Sequence, residues 1–547
     1  MPIALASLPL QQLVAQLLLD IGASWVRMLV ALFLSFIISL FVGIWAARSE
    51  RAGKVILPII DIFQTLPILA FFPFVIYVVV IALPPMLGIN AAVVFLIVTS
   101  MLWNMIFAVY EAIRTLPNEI SEVSELYRLS LLQRLRKIYI PAAMPRLVEQ
   151  SALSWAIGLF YLVTSEIFST GSSVYTVTHG IGVALTQLAV SGSLAYYAVG
   201  LAVFILFVIL TRFLLFAPLE NYYARRRAAA GMRPAHRQRG IHLRPVAIFG
   251  EMQHLYRESL GIRPKRHLKK HLVGPPPQPV PHKETVWWHK YYYTLLFLIA
   301  VVALLFITGN INQTTLSYES LVLSALVASF ARVWLAFVVI LVVSVPLCVY
   351  IIFMSKRLSR YITIIQVVAS IPATIVLPLI AYAFAGNPMQ GEIVAFVIFF
   401  LSGIWYVMFG ALANSRDLPD NLLEIKKVFH VNRLAAWKKI YTMAIIPGLV
   451  TGAVTGIAAE WNASIVAEYF TNAGISGSTV ISSVHTGIGR LLDISLSSAP
   501  GATINGIVVS QPLLLMAIAL INLTVMIVLI NTFVWKRLYR KVADIYK

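Results

Sequence analysis

Long apolar runs recur from one end of the chain to the other, separated by short polar connections. A helix needs about 20 apolar residues to cross the hydrocarbon core of a bilayer. Runs of that length or more stand at 24–47, 55–83, 90–113, 145–168, 195–217, 292–308, 319–354, 360–385, 390–413, 445–470 and 511–535. The pattern predicts an all-α polytopic membrane protein with about 11 transmembrane helices. The longest run, 319–354, is expected to enter bent or tilted. Residues 9–20 read as a separate short helix lying at the outer surface.

The polar connections fall into two alternating kinds. Residues 1–23, 84–89, 171–193, 309–318 and 386–391 contain no Lys or Arg. The other set is basic: Arg48, Arg51 and Lys54; Arg114 to Lys137; 212–290; Lys356, Arg357 and Arg360; Arg416 to Lys439; and Lys536 to Lys541. This is the positive-inside pattern. It predicts an N-terminus outside, with the central segment and the C-terminus cytoplasmic; Arg490 is the exception outside. Composition agrees, with 60% hydrophobic and 12% charged residues. The net charge of +20 follows from topology and gives no reason to invoke nucleic acid. Cys348 is the only cysteine, so no intrachain disulfide forms. Residues 1–20 lack the basic start of a cleavable signal.

The chain repeats itself. Ser24 to Arg27 align with Ser329 to Arg332, and Pro67 and Pro73 with Pro372 and Pro378, at an offset of 305. Beyond an outside loop the offset becomes 302, and Trp103, Arg114, Pro117, Glu122, Lys137, Tyr139, Pro145 and Glu166 match Trp405, Arg416, Pro419, Glu424, Lys439, Tyr441, Pro447 and Glu468. Gly180-Ile181-Gly182 answers Gly487-Ile488-Gly489. Both copies place the Glu122/Glu424 segment inside, so they are parallel repeats about an axis along the membrane normal. Expected domains are 1–217 and 291–547, joined by a basic linker at 218–290. The linker holds 15 Lys and Arg against 4 Asp and Glu, and 7 of the 10 histidines, without metal-ligand spacing. Its run from Pro275 to Pro281 is a stiff spacer. Residues 246–260 have helical apolar spacing suited to a lipid surface or a partner.

Each half carries one polar segment between spans on the inner side. The first runs Glu122-Val-Ser-Glu-Leu-Tyr-Arg128 through Ile138-Tyr-Ile-Pro141, and the second Glu424-Ile-Lys-Lys-Val-Phe-His430 through Ile440-Tyr-Thr-Met443. This spacing resembles the EAA loop, Glu-x5-Gly-x9-Ile-x-Leu-Pro, of the permease subunits of binding-protein-dependent ABC importers. The loop departs from the family pattern at Val123-Ser124 and Ile425-Lys426, at Arg128 and His430 in place of glycine, and at Met443 in place of proline. Ile371-Pro372 to Pro378, the stretch Glu460-Trp461-Asn462 to Glu468-Tyr469, and Trp535 to Arg540 are similar to the nitrate/sulfonate/taurine/bicarbonate branch. The resemblance implies two tandem type I importer domains. It also implies ATPase coupling through Glu122, Arg128, Ile138, Pro141, Glu424, His430 and Ile440.

No Gly-x4-Gly-Lys-Ser/Thr phosphate loop occurs in the sequence. The resemblance therefore implies two copies of a separate ABC ATPase subunit that bind ATP and magnesium, and a separate extracytoplasmic solute-binding protein. This chain would bind no cofactor and carry no catalytic site.

Charges inside a bilayer cost about 3 kcal/mol or more each and need a cavity or a partner. Arg27 and Arg332 occupy equivalent places near the outer ends of their spans, as do Glu166 and Glu468. Three readings are open: a polar path between the halves that attracts an anion, an Arg–Glu pair within each half, or arginines that snorkel to the interface. Asp61 answers Gln366. Glu460 and Asn462 stand where the first half has Gly158 and Phe160, an asymmetry that suggests a substrate contact. Pro67 and Pro372 break spans at depth and free carbonyls toward a path. The alternative to an ATP-driven importer is an ion-gradient-driven secondary transporter.

Overall fold

The computed structural model describes residues 8–72, 82–170, 177–190, 194–229, 313–354, 368–384, 386–414, 432–437, 442–473, 484–497, 502–504 and 506–535, with a few isolated positions besides. The expected span at 292–308, the linker beyond residue 229, and Gln366, Glu424, His430 and Ile440 lie outside the described residues.

The first half is built from α1 (Leu10–Arg48), α2 (Glu50–Thr65), a 3-10 turn (Ile68–Phe71), α3 (Pro85–Arg114), α4 (Asn118–Leu126), α5 (Leu131–Arg134), α6 (Ile140–Thr170), α7 (Ile181–Val190), α8 (Leu194–Thr211) and α9 (Ala217–Ala229). The second half has α10 (Gln313–Met354), α11 (Ala373–Ala383), α12 (Gln390–Asn414), α13 (Arg433–Ala436), α14 (Thr442–Ala473), α15 (Ile488–Ser497) and α16 (Pro512–Ile530). Among the described residues, 8 helices are long and apolar enough to cross a membrane.

Of the three remaining expected spans, 292–308 lies outside the described residues, and the absence of the other two has a local cause. The runs at 55–83 and 360–385 are not continuous helices. Pro67 lacks an N–H and holds Leu66 in an extended conformation, so α2 stops and a short 3-10 turn follows. In the second half Pro372 is itself extended, as the N-cap of α11, which starts after it. The outer segment 9–20 is not a separate helix either. It is the first third of α1, a continuous helix of 39 residues, with Leu13, Leu17 and Ile21 fully buried against the rest of the half. At about 1.5 Å per residue, α1 and the 42-residue α10 both exceed the bilayer core.

Within each half the same three helices pack side by side: α3 between α1 and α6, and α12 between α10 and α14. The α12–α14 contact is the most extensive of these, and glycines face each other in it. A Cβ on Gly410 would lie 2.6 Å from Cα of Gly452, so the backbones touch, as small residues permit in membranes. The halves join crosswise. The 3-10 turn of the first packs on α14 of the second, while α11 of the second packs on α6 and α7 of the first. The Tyr382 hydroxyl donates to the Ala189 carbonyl at 3.0 Å, and the Tyr197 hydroxyl to the Ile375 carbonyl.

A small antiparallel hairpin, β1 (Ala502–Ile504) and β2 (Ile507–Val509), precedes α16. The alternation there is too short to be read as strands from sequence. Gly506 turns it with φ +82°, and Tyr318 anchors its exit by accepting from the Gln511 amide at 3.1 Å.

Candidate functional site

Three constellations stand out, one on the basic side and two within the helix bundle. The first is the α4–α5 loop. Helix α4 ends at Leu126, and Arg128 takes the left-handed conformation with φ 46°. The Arg128 amide bonds to Glu125 O at 2.9 Å and the Leu129 amide to Ser124 O at 3.1 Å. That is a Schellman ending, the conformation that favours glycine. Arg128 stands at the glycine place of the EAA pattern, and the turn geometry survives the replacement. Ser130 then opens α5 with a capping box to Gln133. The short helix pair presents an apolar face outward: Leu126, Tyr127 and Leu131 are 80%, 72% and 78% exposed. Glu122 is exposed on α4, Ile138 packs on the core in the following π-helical turn, and Pro141 is the second residue of α6.

Arg128→Gly is expected to stabilise the protein by about 1 kcal/mol, since it removes the steric cost of a side chain in the left-handed region. The comparison is thermal unfolding of the purified variant and parent; a variant no more stable than the parent would contradict the assignment.

The second constellation occurs twice. In the first half, Arg27 Nη1 meets Glu166 Oε1 at 2.7 Å with both side chains buried. Ser24 Oγ donates to Glu166 Oε1 at 2.7 Å and accepts from the Ile181 amide at 3.0 Å, while the Gly182 amide donates to Glu166 Oε2 at 2.8 Å. In the second half, Arg332 meets Glu468 at 2.9 Å, Ser329 donates to Glu468 at 2.7 Å, and the Ile488 and Gly489 amides repeat the two backbone bonds at 2.9 Å. The glycines are needed by proximity. A Cβ on Gly180 would sit 2.6 Å from Glu166 Cδ, and one on Gly489 2.5 Å from Ile465 O.

The remaining partners differ, and Arg27 Nη2 donates to the His179 carbonyl at 2.6 Å. Arg27 Nε donates to Asn90 at 2.7 Å, whereas Arg332 Nε and Nη2 donate to Glu392 at 2.5 and 2.7 Å. Asn90 and Glu392 were not singled out in the sequence, although the 302 offset aligns them.

The third constellation is a cavity of about 520 Å³ between the halves. Counterparts from both sides line it: Trp103 with Trp405, and Ser100 with Ser402. Of the expected path residues, Pro372 and Asn462 line it, and Pro67 is buried next to the lining residue Ile68. Asp61 lies on α2. Arg27, Glu166, Arg332, Glu468 and Glu460 do not line the cavity. The arginines are instead held by carboxylates inside each half, which is the pairing arrangement and not the solute-facing one. Glu460 points to the other side of α14, away from Ala458, Ala459 and Asn462, and packs over Gly403 and Ile340. Helical phase is the reason. Cavity-facing positions 455, 458, 459 and 462 fall on one side of α14, and residue 460 falls roughly opposite at about 100° per residue. Trp103 and Trp405 were visible in the sequence only as repeat markers.

Residues 39–217 match the family described as binding-protein-dependent transport system inner membrane component. The chain is 29% identical over 184 residues to the glycine betaine/proline betaine transport system permease protein ProW of Escherichia coli, covering 34% of this chain and 48% of that one. It is 27% identical over 157 residues to the nitrate import permease protein NrtB of Leptolyngbya laminosa (28% and 53%), and 26% over 151 residues to the bicarbonate transport system permease protein CmpB of Synechococcus elongatus (27% and 51%). The chain spans about half the length of the curated relatives it matches. No solved structure matches it. Over residues 39–217, then, the chain is similar to the inner membrane components of binding-protein-dependent transport systems.

Proposed function

We propose that this chain is the translocation subunit of an ABC importer, with two permease halves fused in one polypeptide. Two copies of a separate ATPase subunit bind ATP and magnesium beneath the α4–α5 loop and its counterpart around Glu424. An extracytoplasmic solute-binding protein delivers a small solute at the outer mouth, and the solute crosses by the cavity between the halves. The observation that carries this reading is the α4–α5 loop, a helix pair with an exposed apolar face and a fixed turn, inside the region that matches the permease family. The matched family is described by its dependence on a binding protein, which weighs against an ion-gradient-driven carrier.

Similarity to nitrate and bicarbonate permeases supports an anion such as nitrate, sulfonate or bicarbonate, and similarity to glycine betaine permeases supports an organic solute equally. The paired arginines Arg27 and Arg332 add nothing to it, because their charges are met by Glu166, Glu392 and Glu468.

The test is coupling. Glu122→Lys and, separately, Leu126→Asp are expected to lower solute-stimulated ATP hydrolysis and co-purification with the ATPase while leaving membrane insertion intact. Normal stimulation in both variants would overturn the reading. Topology is tested in parallel. Cysteines placed at Ser169 and Asn310 are expected to react with an impermeant thiol reagent from outside, and one at Ala235 is not; the native Cys348 is buried and silent. Labelling at Ala235 in intact cells would contradict a cytoplasmic linker.

A further inference from the structure

The inter-half cavity is chemically specific enough to define the class of solute, given the translocation reading above. We propose that it carries a small organic molecule with an apolar body, not a bare inorganic oxyanion. Size is the first support. A volume of about 520 Å³ falls within the range of about 300–1,000 Å³ typical of sites that enclose organic ligands. The wall is the second. Both halves contribute aromatic side chains, with Trp103, Trp155, Phe160 and Tyr161 on one side and Trp405 and Tyr406 on the other. Such faces gain by covering apolar or methylated surface and offer little to a strongly hydrated ion.

Charge is the third. Among the described residues Arg212 is the one basic residue in the wall, and its guanidinium donates to both oxygens of Glu220, at 2.7 and 3.2 Å. Glu149 adds an acidic group to the same wall. An inorganic anion that left part of its hydration shell here would meet no free counter-charge among the described residues, which is unfavourable.

The wall is also unequal on its two sides. Positions 155, 160 and 161 are aromatic in the first half, while their counterparts at the 302 offset are Ile457, Asn462 and Ala463. The Asn462 side-chain amide donates to the Ala458 carbonyl at 3.0 Å, and its carbonyl oxygen has no partner among the described residues.

The test uses the purified full chain in detergent. It is titrated with sodium 1-butanesulfonate and with 4-(trimethylammonio)butanoate, against sodium nitrate and sodium bicarbonate at matched ionic strength. Tryptophan fluorescence and the unfolding midpoint are followed. At least one organic probe is expected to give a saturable change, and which one responds identifies the charge of the head group. Nitrate and bicarbonate are expected to give none. Trp103→Leu with Trp405→Leu is expected to weaken the organic response by roughly threefold to tenfold. Ala459→Phe, which keeps both tryptophans and fills the cavity, is expected to remove it. A saturable response to nitrate or bicarbonate, no response to either organic probe, or an organic response unchanged in both variants overturns the proposal. ATP-driven nitrate uptake by the assembled importer would overturn it while leaving the importer reading intact. Organic binding by a chain that never engages an ATPase would do the reverse.

Discussion

Arg332→Gln is expected to destabilise the protein by about 3–5 kcal/mol, the usual consequence of removing one partner from a buried ion pair. The guanidinium bridges two carboxylates, Glu392 and Glu468, and Glu468 is fully buried. Without Arg332 the two acidic side chains face each other, while Ser329 and the Gly489 amide still donate to Glu468. Arg27→Gln is expected to cost less. It removes the counter-charge of Glu166 alone, which keeps Ser24 and the Gly182 amide, and the other neighbours, Asn90 and the His179 carbonyl, are neutral. Denaturation of the purified variants measures the difference. Adding Glu392→Gln to Arg332→Gln is expected to recover part of the loss, since it removes one of the two stranded charges. An Arg332→Gln protein as stable as the parent but defective in uptake would instead restore the solute-facing reading of the arginines.

The second large effect has the opposite sign. Glu460 is fully buried, and neither carboxylate oxygen has a hydrogen-bond partner among the described residues. It occupies the space over Gly403, where a Cβ would lie 2.5 Å from Glu460 Oε1 and 2.8 Å from Ile340 Cδ1. The first half fills the corresponding space the other way round, with Met101 where Gly403 stands and Gly158 where Glu460 stands. Exchanging the second-half pair for the first-half one, Gly403→Met with Glu460→Gly, removes the buried carboxyl and keeps the fill. The double variant is expected to be more stable by about 1–3 kcal/mol, the cost of an unsatisfied buried polar group. Each single change is expected to destabilise. Gly403→Met alone overpacks against the glutamate, and Glu460→Gly alone leaves a void. A double variant no better than the worse single one would show that Glu460 has a partner in another conformation.

Much of the fold was legible because the bilayer imposes a length and polarity on each crossing segment. Runs such as 90–113, 195–217 and 511–535 became α3, α8 and α16 with small boundary shifts. The loop of Glu122 to Pro141 was legible because its spacing sets a helix, a turn and a return. The broken segments at Pro67 and Pro372 were less so. A run of apolar residues has the same hydropathy whether it forms one helix or two, and the proline signals of breakage were outweighed by its length.

By itself the sequence determined the helical class, the two-fold recurrence of Arg27/Arg332 and Glu166/Glu468, and the alternation of basic and non-basic connections. Each is a property of local composition or of spacing, and neither depends on how helices dock. Only the tertiary structure decided what the charges face. Ser24 and Arg27 meet Glu166 across 139 residues or more of chain, and no pattern along the chain distinguishes that pairing from a shared path between halves. The same holds for Glu460 and Asn462. They are two residues apart on one helix, yet Asn462 lines the cavity while Glu460 lies against Gly403. About 200° of helical rotation separates them, and which side becomes the cavity is set by the helices that pack around α14.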